Sequence, residues 1–153
     1  MAMNIYLSII PLNVNGLIAP IKRSRIAEWI RKHDPHICCL QETHLRTKDL
    51  HRLKVKGWKQ VFQANRQEKK AGVAILISDK INFKRMAIKR DPEGHFIILK
   101  GRILQEYINI VNIYAPNIGA PKYIKKMLED FKKDIDSNII IVGDFNTPLS
   151  LSF

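Results

Sequence analysis

Apolar residues recur along the chain in short runs separated by polar turns, and in two stretches the spacing becomes helical. Tyr6–Leu12 predicts a strand interrupted by Pro11, followed by a loop from Asn13 to Pro20 that contains Gly16. From Ile21 to His33, the apolar Ile26, Trp29 and Ile30 share one helical face, with Lys22, Arg23, Arg31 and Lys32 mostly elsewhere. Asp34-Pro35 stops that helix, because proline disfavours helical geometry at the residue before it. His36–Gln41 predicts a short apolar strand ending at Glu42, and Thr43–Gly57 is polar and basic, a loop with a helical turn. Trp58–Gln63 and Gly72–Ser78 predict strands on either side of a basic turn. Asn82–Lys89 and His95–Leu104 flank Asp91-Pro92-Glu93-Gly94, a hairpin signal. Tyr107–Tyr114 predicts a further strand, closed by Ala115-Pro116-Asn117. Pro121–Ile135 predicts the second helix, with Pro121 suited to its first turn and Ile124, Met127, Leu128, Phe131 and Ile135 at helical spacing. Asn138–Val142 predicts a short apolar strand leading into Gly143-Asp144-Phe145-Asn146.

Runs such as IIIV, CCL and VAILI are continuously apolar, which implies burial on both faces, by helices on one side and a second layer on the other. The order β-α-β, hairpin-linked strands, then α-β predicts a layered α/β fold with a mixed sheet. The length of 153 residues suits one domain, and a hydrophobic content of 46% excludes an intrinsically disordered chain. No apolar run reaches the roughly 20 residues of a membrane span, so no membrane partner is expected. The opening MAMNIYLSII lacks the basic start of a secretion signal. Cys38 and Cys39 are adjacent, so in a strand they face opposite ways and cannot easily bridge. That predicts reduced core thiols in an intracellular protein, nuclear or cytoplasmic. Two cysteines and scattered histidines match no zinc spacing.

Charge changes the picture. The formal net charge is +12, and residues 46–90 alone hold 14 Lys and Arg against 3 Asp and Glu, a local net of +11. A concentrated basic segment points to a polyanionic partner, because Lys and Arg gain affinity by releasing counterions from phosphate.

Four predicted strands end in polar residues that packing does not require: Asn13-Val14-Asn15-Gly16, Gln41-Glu42-Thr43, Tyr114-Ala115-Pro116-Asn117 and Gly143-Asp144-Phe145-Asn146. In layered α/β folds ligands bind beyond strand ends. Each piece alone reads as a turn former or a solvated carboxylate; together they make a hydrogen-bonding set of hard oxygens. One or two carboxylates with amides suit Mg²⁺, which keeps several waters and takes phosphate oxygens. A tyrosine hydroxyl and an amide donate to phosphate, and an aspartate orients or deprotonates water. Metal-assisted phosphodiester hydrolysis is a coherent chemistry for this set.

In order and spacing, LNVNG (12–16), LQETHL (40–45), NIYAPN (112–117) and GDFN (143–146) resemble the endonuclease/exonuclease/phosphatase superfamily. With the intervening KGW, KKAGVAILIS and KRDPEGH, the chain resembles in particular the apurinic-type endonuclease domain of LINE-1 retrotransposons, up to about Ser150. The resemblance implies a four-layer α/β sandwich of two packed sheets, of which residues 1–153 form the first part. It implies Glu42 as the Mg²⁺ ligand, with Asn13 assisting metal and phosphate. Tyr114 matches the tyrosine at the scissile phosphate, Asp144 the aspartate that positions the attacking water, and Asn146 the asparagine that stabilises charge on phosphorus. The implied substrate is duplex DNA, nicked on one strand.

The family pattern continues with another catalytic aspartate and a Ser-Asp-His cluster that residues 1–153 do not contain. None of His33, His36, His44, His51 and His95 stands in the matching context. The expectation is therefore little activity from this chain by itself, since one missing electrostatic group costs about 10²–10³ in rate. The alternatives are a non-catalytic nucleic-acid-binding remnant and a retroelement-derived product without selected function. A phosphatase or inositide hydrolase is the enzymatic runner-up. Two structural expectations follow as well. One face of the first sheet should be left apolar and open, and Pro11, if its strand is central, should disturb the aim of Asn13.

Overall fold

The structure, a computed structural model, describes residues 6–114 and 138–144, together with Lys122, Lys126 and Glu129. The strands are β1 (Ile9–Asn13), β2 (Ile37–Gln41), β3 (Gln60–Ala64), β4 (Val73–Ile77), β5 (Phe83–Arg90), β6 (Phe96–Ile103), β7 (Glu106–Tyr114) and β8 (Asn138–Asp144). They form two four-stranded sheets, ordered β1-β2-β4-β3 and β5-β6-β7-β8. Each sheet is mixed: β1 runs parallel to β2 and β7 parallel to β8, and the remaining pairs are antiparallel.

The helix α1 (Pro20–His33) starts at Pro20, whose missing N–H is no loss in a first turn, and ends where Asp34 adopts a left-handed conformation. There the Asp34 N–H donates to Ile30 O at 2.8 Å. Ala27 and Ile30 are buried against the first sheet, and Ile26 and Trp29 pack beside them. Burying a side chain such as Ile30 contributes roughly 1.5–3 kcal/mol. A short 3₁₀ helix, Thr47–Arg52, lies in the segment read as a loop with a helical turn.

The continuous apolar runs of β2 and β4 are explained by this layering, because every residue of both strands is buried. Their odd-numbered side chains, among them Ile37, Cys39 and Ile75, meet Leu99 and Ile110 of the second sheet. Their even-numbered ones, Cys38, Leu40 and Leu76, meet Ile30, Leu53 and Trp58 on the other side. Cys38 and Cys39 therefore sit in different cores as free thiols, as their alternation predicts. The expected open face of the first sheet is not found among the described residues of β2 and β4. At β2 and β4, α1 and residues 45–58 close one face and the second sheet closes the other.

β8 departs from the prediction of two-sided burial: among the described residues it pairs only with β7, and Ile139 is exposed. The predicted helix over 121–135 lies outside the described residues apart from Lys122, Lys126 and Glu129, which are helical and exposed. No helix among the described residues is long and apolar enough to cross a membrane.

Pro11 fits its place. Among the described residues β1 is the edge of the first sheet. Ser8 O accepts from Ile37 N and Val14 N donates to Gln41 O, both at 3.0 Å, so even-numbered residues address β2. The Pro11 nitrogen faces the open edge, where no ladder donor is lost. Asn13 keeps its register opposite Gln41.

Candidate functional site

Three cross-strand relationships bring the polar strand ends to one rim. In the first sheet Asn13 lies opposite Gln41. In the second, Tyr114 lies opposite Asp144. The two sheets are then joined by side chains. Gln41 Nε2 donates to Asn112 Oδ1 at 2.7 Å, and Asn112 Nδ2 donates to Leu40 O at 3.0 Å and Ala74 O at 2.9 Å. Glu42 follows Gln41 directly, and Tyr114 stands two residues beyond Asn112.

The first-sheet side of the rim is held by backbone bonds. Gly16 N donates to Glu42 O at 2.7 Å, Leu17 N to Thr43 O at 2.8 Å, and Thr43 N to Gly72 O at 3.1 Å. Between these clamps Glu42 and His44 adopt left-handed φ values of 56° and 57°, and Asn15 and Ala71 beside them adopt 48° and 51°. Such conformations cost of order 1–3 kcal/mol and persist only where the surroundings over-determine them. Four of the six non-glycine residues with positive φ among the described residues thus gather at one place. Asn13 is exposed, and its Oδ1 accepts from Asn15 N at 3.0 Å, which fixes the side chain at the end of β1. Glu42 is half-buried.

On the other side Tyr114 is half-buried and packs on the inter-sheet core. Its N–H donates to His95 O at 2.7 Å, and its ring lies 6.3 Å from the His95 ring, centroid to centroid. His95 belongs to the turn read as a hairpin signal. Asp91, largely buried, accepts from the backbone N–H of Glu93 at 3.2 Å and of His95 at 3.0 Å, and its carboxylate lies 3.6 Å from His95 Nδ1. An imidazole with a carboxylate behind it therefore stands beside Tyr114. Sequence reading passed over His95; the signal available was its i+4 spacing from Asp91 across a turn. Gln41 and Asn112 lie within the LQETHL and NIYAPN motifs, and neither has a local signal that marks it. Asp144 is placed by its register alone, and Asn146 lies outside the described residues.

The donor set suits a hydrated hard cation. Among the described residues no three His, Cys, Asp or Glu side chains come together, so they form no cage of the zinc kind. Glu42 and Asn13 would offer such a cation one carboxylate and one amide oxygen, the small share of protein ligands that Mg²⁺ takes while it keeps its waters. Thr43 Oγ1, next in sequence to Glu42, is buried with no hydrogen-bond partner among the described residues.

The Endonuclease/Exonuclease/phosphatase family model matches residues 12–152. The chain is 31% identical over 147 residues to the transposon TX1 uncharacterized 149 kDa protein of Xenopus laevis, covering 94% of this chain and 11% of that protein. It is 30% identical over 118 residues to a DNA-(apurinic or apyrimidinic site) endonuclease of Dictyostelium discoideum, covering 74% of this chain and 31% of that protein. Among solved structures it superposes on D. rerio TDP2 complexed with single strand DNA product, with a TM-score of 0.72 and 18% identity over 93% of this chain and 61% of that one. The Xenopus laevis APE2 catalytic domain gives a TM-score of 0.69 at 21% identity, over 92% of this chain and 59% of that one. The chain thus spans a small part of the curated relatives and about three fifths of the solved chains. By the family model matched over residues 12–152, it belongs to the endonuclease/exonuclease/phosphatase family.

Proposed function

We propose that the rim carries metal-assisted phosphodiester hydrolysis on duplex DNA, with one strand nicked. The observation that supports this most is the register: Asn13 opposite Gln41, Tyr114 opposite Asp144, and the buried Gln41–Asn112 bond joining the two pairs. In this reading Glu42 and Asn13 hold Mg²⁺. When bound, the cation offsets phosphate charge and lowers the pKa of its water. Tyr114 donates its hydroxyl to a phosphate oxygen. Asp144 orients the attacking water and accepts its proton. Asn146 donates to the oxygen on which charge builds up. His95, 3.6 Å from the Asp91 carboxylate and beside the Tyr114 ring, would add a second donor to that phosphate. The relatives support DNA as the substrate class: one is an endonuclease acting at apurinic or apyrimidinic sites, and one structural neighbour holds a DNA product.

A second reading is DNA binding without turnover, in the nucleus or cytoplasm. The excess of basic residues over 46–90 favours it, because phosphate neutralisation needs neither metal nor water activation. Supercoiled plasmid separates the two. Hydrolysis predicts slow conversion to open circles that requires Mg²⁺ and disappears in Glu42→Ala and in Asp144→Asn. Plasmid that is retarded in a gel but never nicked supports the binding reading and removes hydrolysis.

A further inference from the structure

Two clefts flank the 45–54 segment on the far side of the first sheet, and none of Asn13, Glu42 and Tyr114 lines either one. The larger, about 890 Å³, lies between that segment and β3, and carries Lys54, Lys56, Lys59 and Arg90 around an apolar floor that includes Leu53 and Val61. The smaller, about 450 Å³, lies between α1 and the same segment, and carries Arg23, Arg31, Arg52 and Lys54. Lys54 lines both, so the clefts adjoin.

Carboxylates are scarce there. The larger cleft has Asp91, already occupied by the backbone N–H groups of Glu93 and His95. The smaller has Glu28. Asp49 nearby is taken up by Arg46 at 3.1 Å and Arg52 at 3.4 Å. Arg31, Lys54, Lys56 and Lys59 make no side-chain ion pair or hydrogen bond among the described residues. Arg90 spends one donor, Nε to Gln63 O at 2.9 Å, and Arg23 donates Nη1 to Leu17 O and Ile18 O, which leaves further N–H groups of both guanidiniums open. Uncompensated cations gathered in concave surface focus a positive potential, and the complementary ligand is a line of phosphates.

We infer that this two-cleft surface is a second DNA-binding site, which holds the phosphodiester backbone of a duplex away from Asn13, Glu42 and Tyr114 and meets the rim only at Asp91, behind His95. The basic surface is then not simply residues 46–90. It takes in Arg23 and Arg31 of α1 and leaves out Lys84 and Lys89, on β5. The inference rests on the proposed reading that the chain acts on DNA, but it is tested without hydrolysis.

The test is fluorescence anisotropy of a labelled 30-base-pair duplex in EDTA across a salt series, on the full chain. Neutralising two contacts in Arg31→Gln/Lys54→Gln should weaken binding about tenfold and flatten the plot of log affinity against log salt by about 1.8. Lys84→Gln/Lys89→Gln should change the slope by less than half of that. Equal losses from the two double variants, or an unchanged slope in Arg31→Gln/Lys54→Gln, would overturn the assignment. Thermal unfolding of each variant verifies that the exposed substitutions leave the fold intact. Because EDTA removes the metal, an absence of plasmid nicking does not affect the outcome.

Discussion

Gln41 and Asn112 are linked across the two sheets by a bond of 2.7 Å, with the two residues 1% and 0% exposed. Both amides make further bonds: Gln41 Nε2 also reaches Cys39 O at 3.1 Å, and Asn112 reaches carbonyls on β2 and β4. The pair fixes how the end of β2, and so Glu42, stands relative to the end of β7, and so Tyr114. Asn112→Leu would remove one acceptor from the buried Gln41 amide, which keeps Cys39 O, and one donor from each of the Leu40 and Ala74 carbonyls. Unmade buried hydrogen bonds cost about 1–3 kcal/mol each, so we expect a loss of about 3 kcal/mol in urea unfolding. A loss below 1 kcal/mol would show that the clasp is unimportant.

Gly72 sets the other boundary of the Glu42 loop. Its φ is +93°, and a Cβ there would stand 2.3 Å from Thr43 Oγ1. Gly72→Ala combines a left-handed strain with a clash against a buried side chain. We expect about 2–4 kcal/mol of destabilisation, read from the urea midpoint. Gly57→Ala is the control: Gly57 shares a positive φ of 98° but has no atom within 4 Å of its Cβ, so only the strain remains, about 1 kcal/mol.

Burial pushes the Cys38 thiol up to about 12 and raises Cys39 further, with a smaller contribution from Cys38 itself. A folded pKa above the unfolded one contributes stability that is complete below the unfolded value and lost as pH rises through the folded value. The unfolded thiols ionise near pH 9, so the midpoint of thermal unfolding should be insensitive to these groups up to about pH 8 and fall steadily from pH 9 to 11. Cys38→Ala/Cys39→Ala should show a shallower fall. In the native protein at pH 8, neither thiol should react with a disulfide reagent until urea is added.

Much of the fold was legible because each strand announces itself locally. The apolar runs of β2 and β4 are continuous because both faces are covered, and Asp91-Pro92-Glu93-Gly94 marks the turn between β5 and β6 by its own chemistry. The strand-end residues Asn13, Glu42 and Tyr114 stood out because packing gave no reason for them. Other features depend on partners far away in sequence. Asn112 inside an apolar strand looks like a misplaced polar residue until Gln41, 71 positions earlier, is set against it. Pro11 looks disruptive until its nitrogen is seen to face an open edge. His95 gains meaning only from the Tyr114 ring beside it. The basic segment is a stretch of sequence, whereas the cationic clefts are assembled from α1, the 45–54 segment, β3 and Arg90, which no linear window encloses.

The central claim is that the ends of two different sheets make one cation and phosphate site, and Mn²⁺ tests it most directly. Mn²⁺ stands in for Mg²⁺ and broadens the NMR signals of nearby amides. Titrated into labelled protein at substoichiometric ratio, it should broaden Asn13, Gln41, Glu42 and Thr43 from the first sheet together with Tyr114 and Asp144 from the second. All six should recover in Glu42→Ala. Broadening confined to one sheet, or scattered over surface carboxylates and unchanged in Glu42→Ala, would contradict the account.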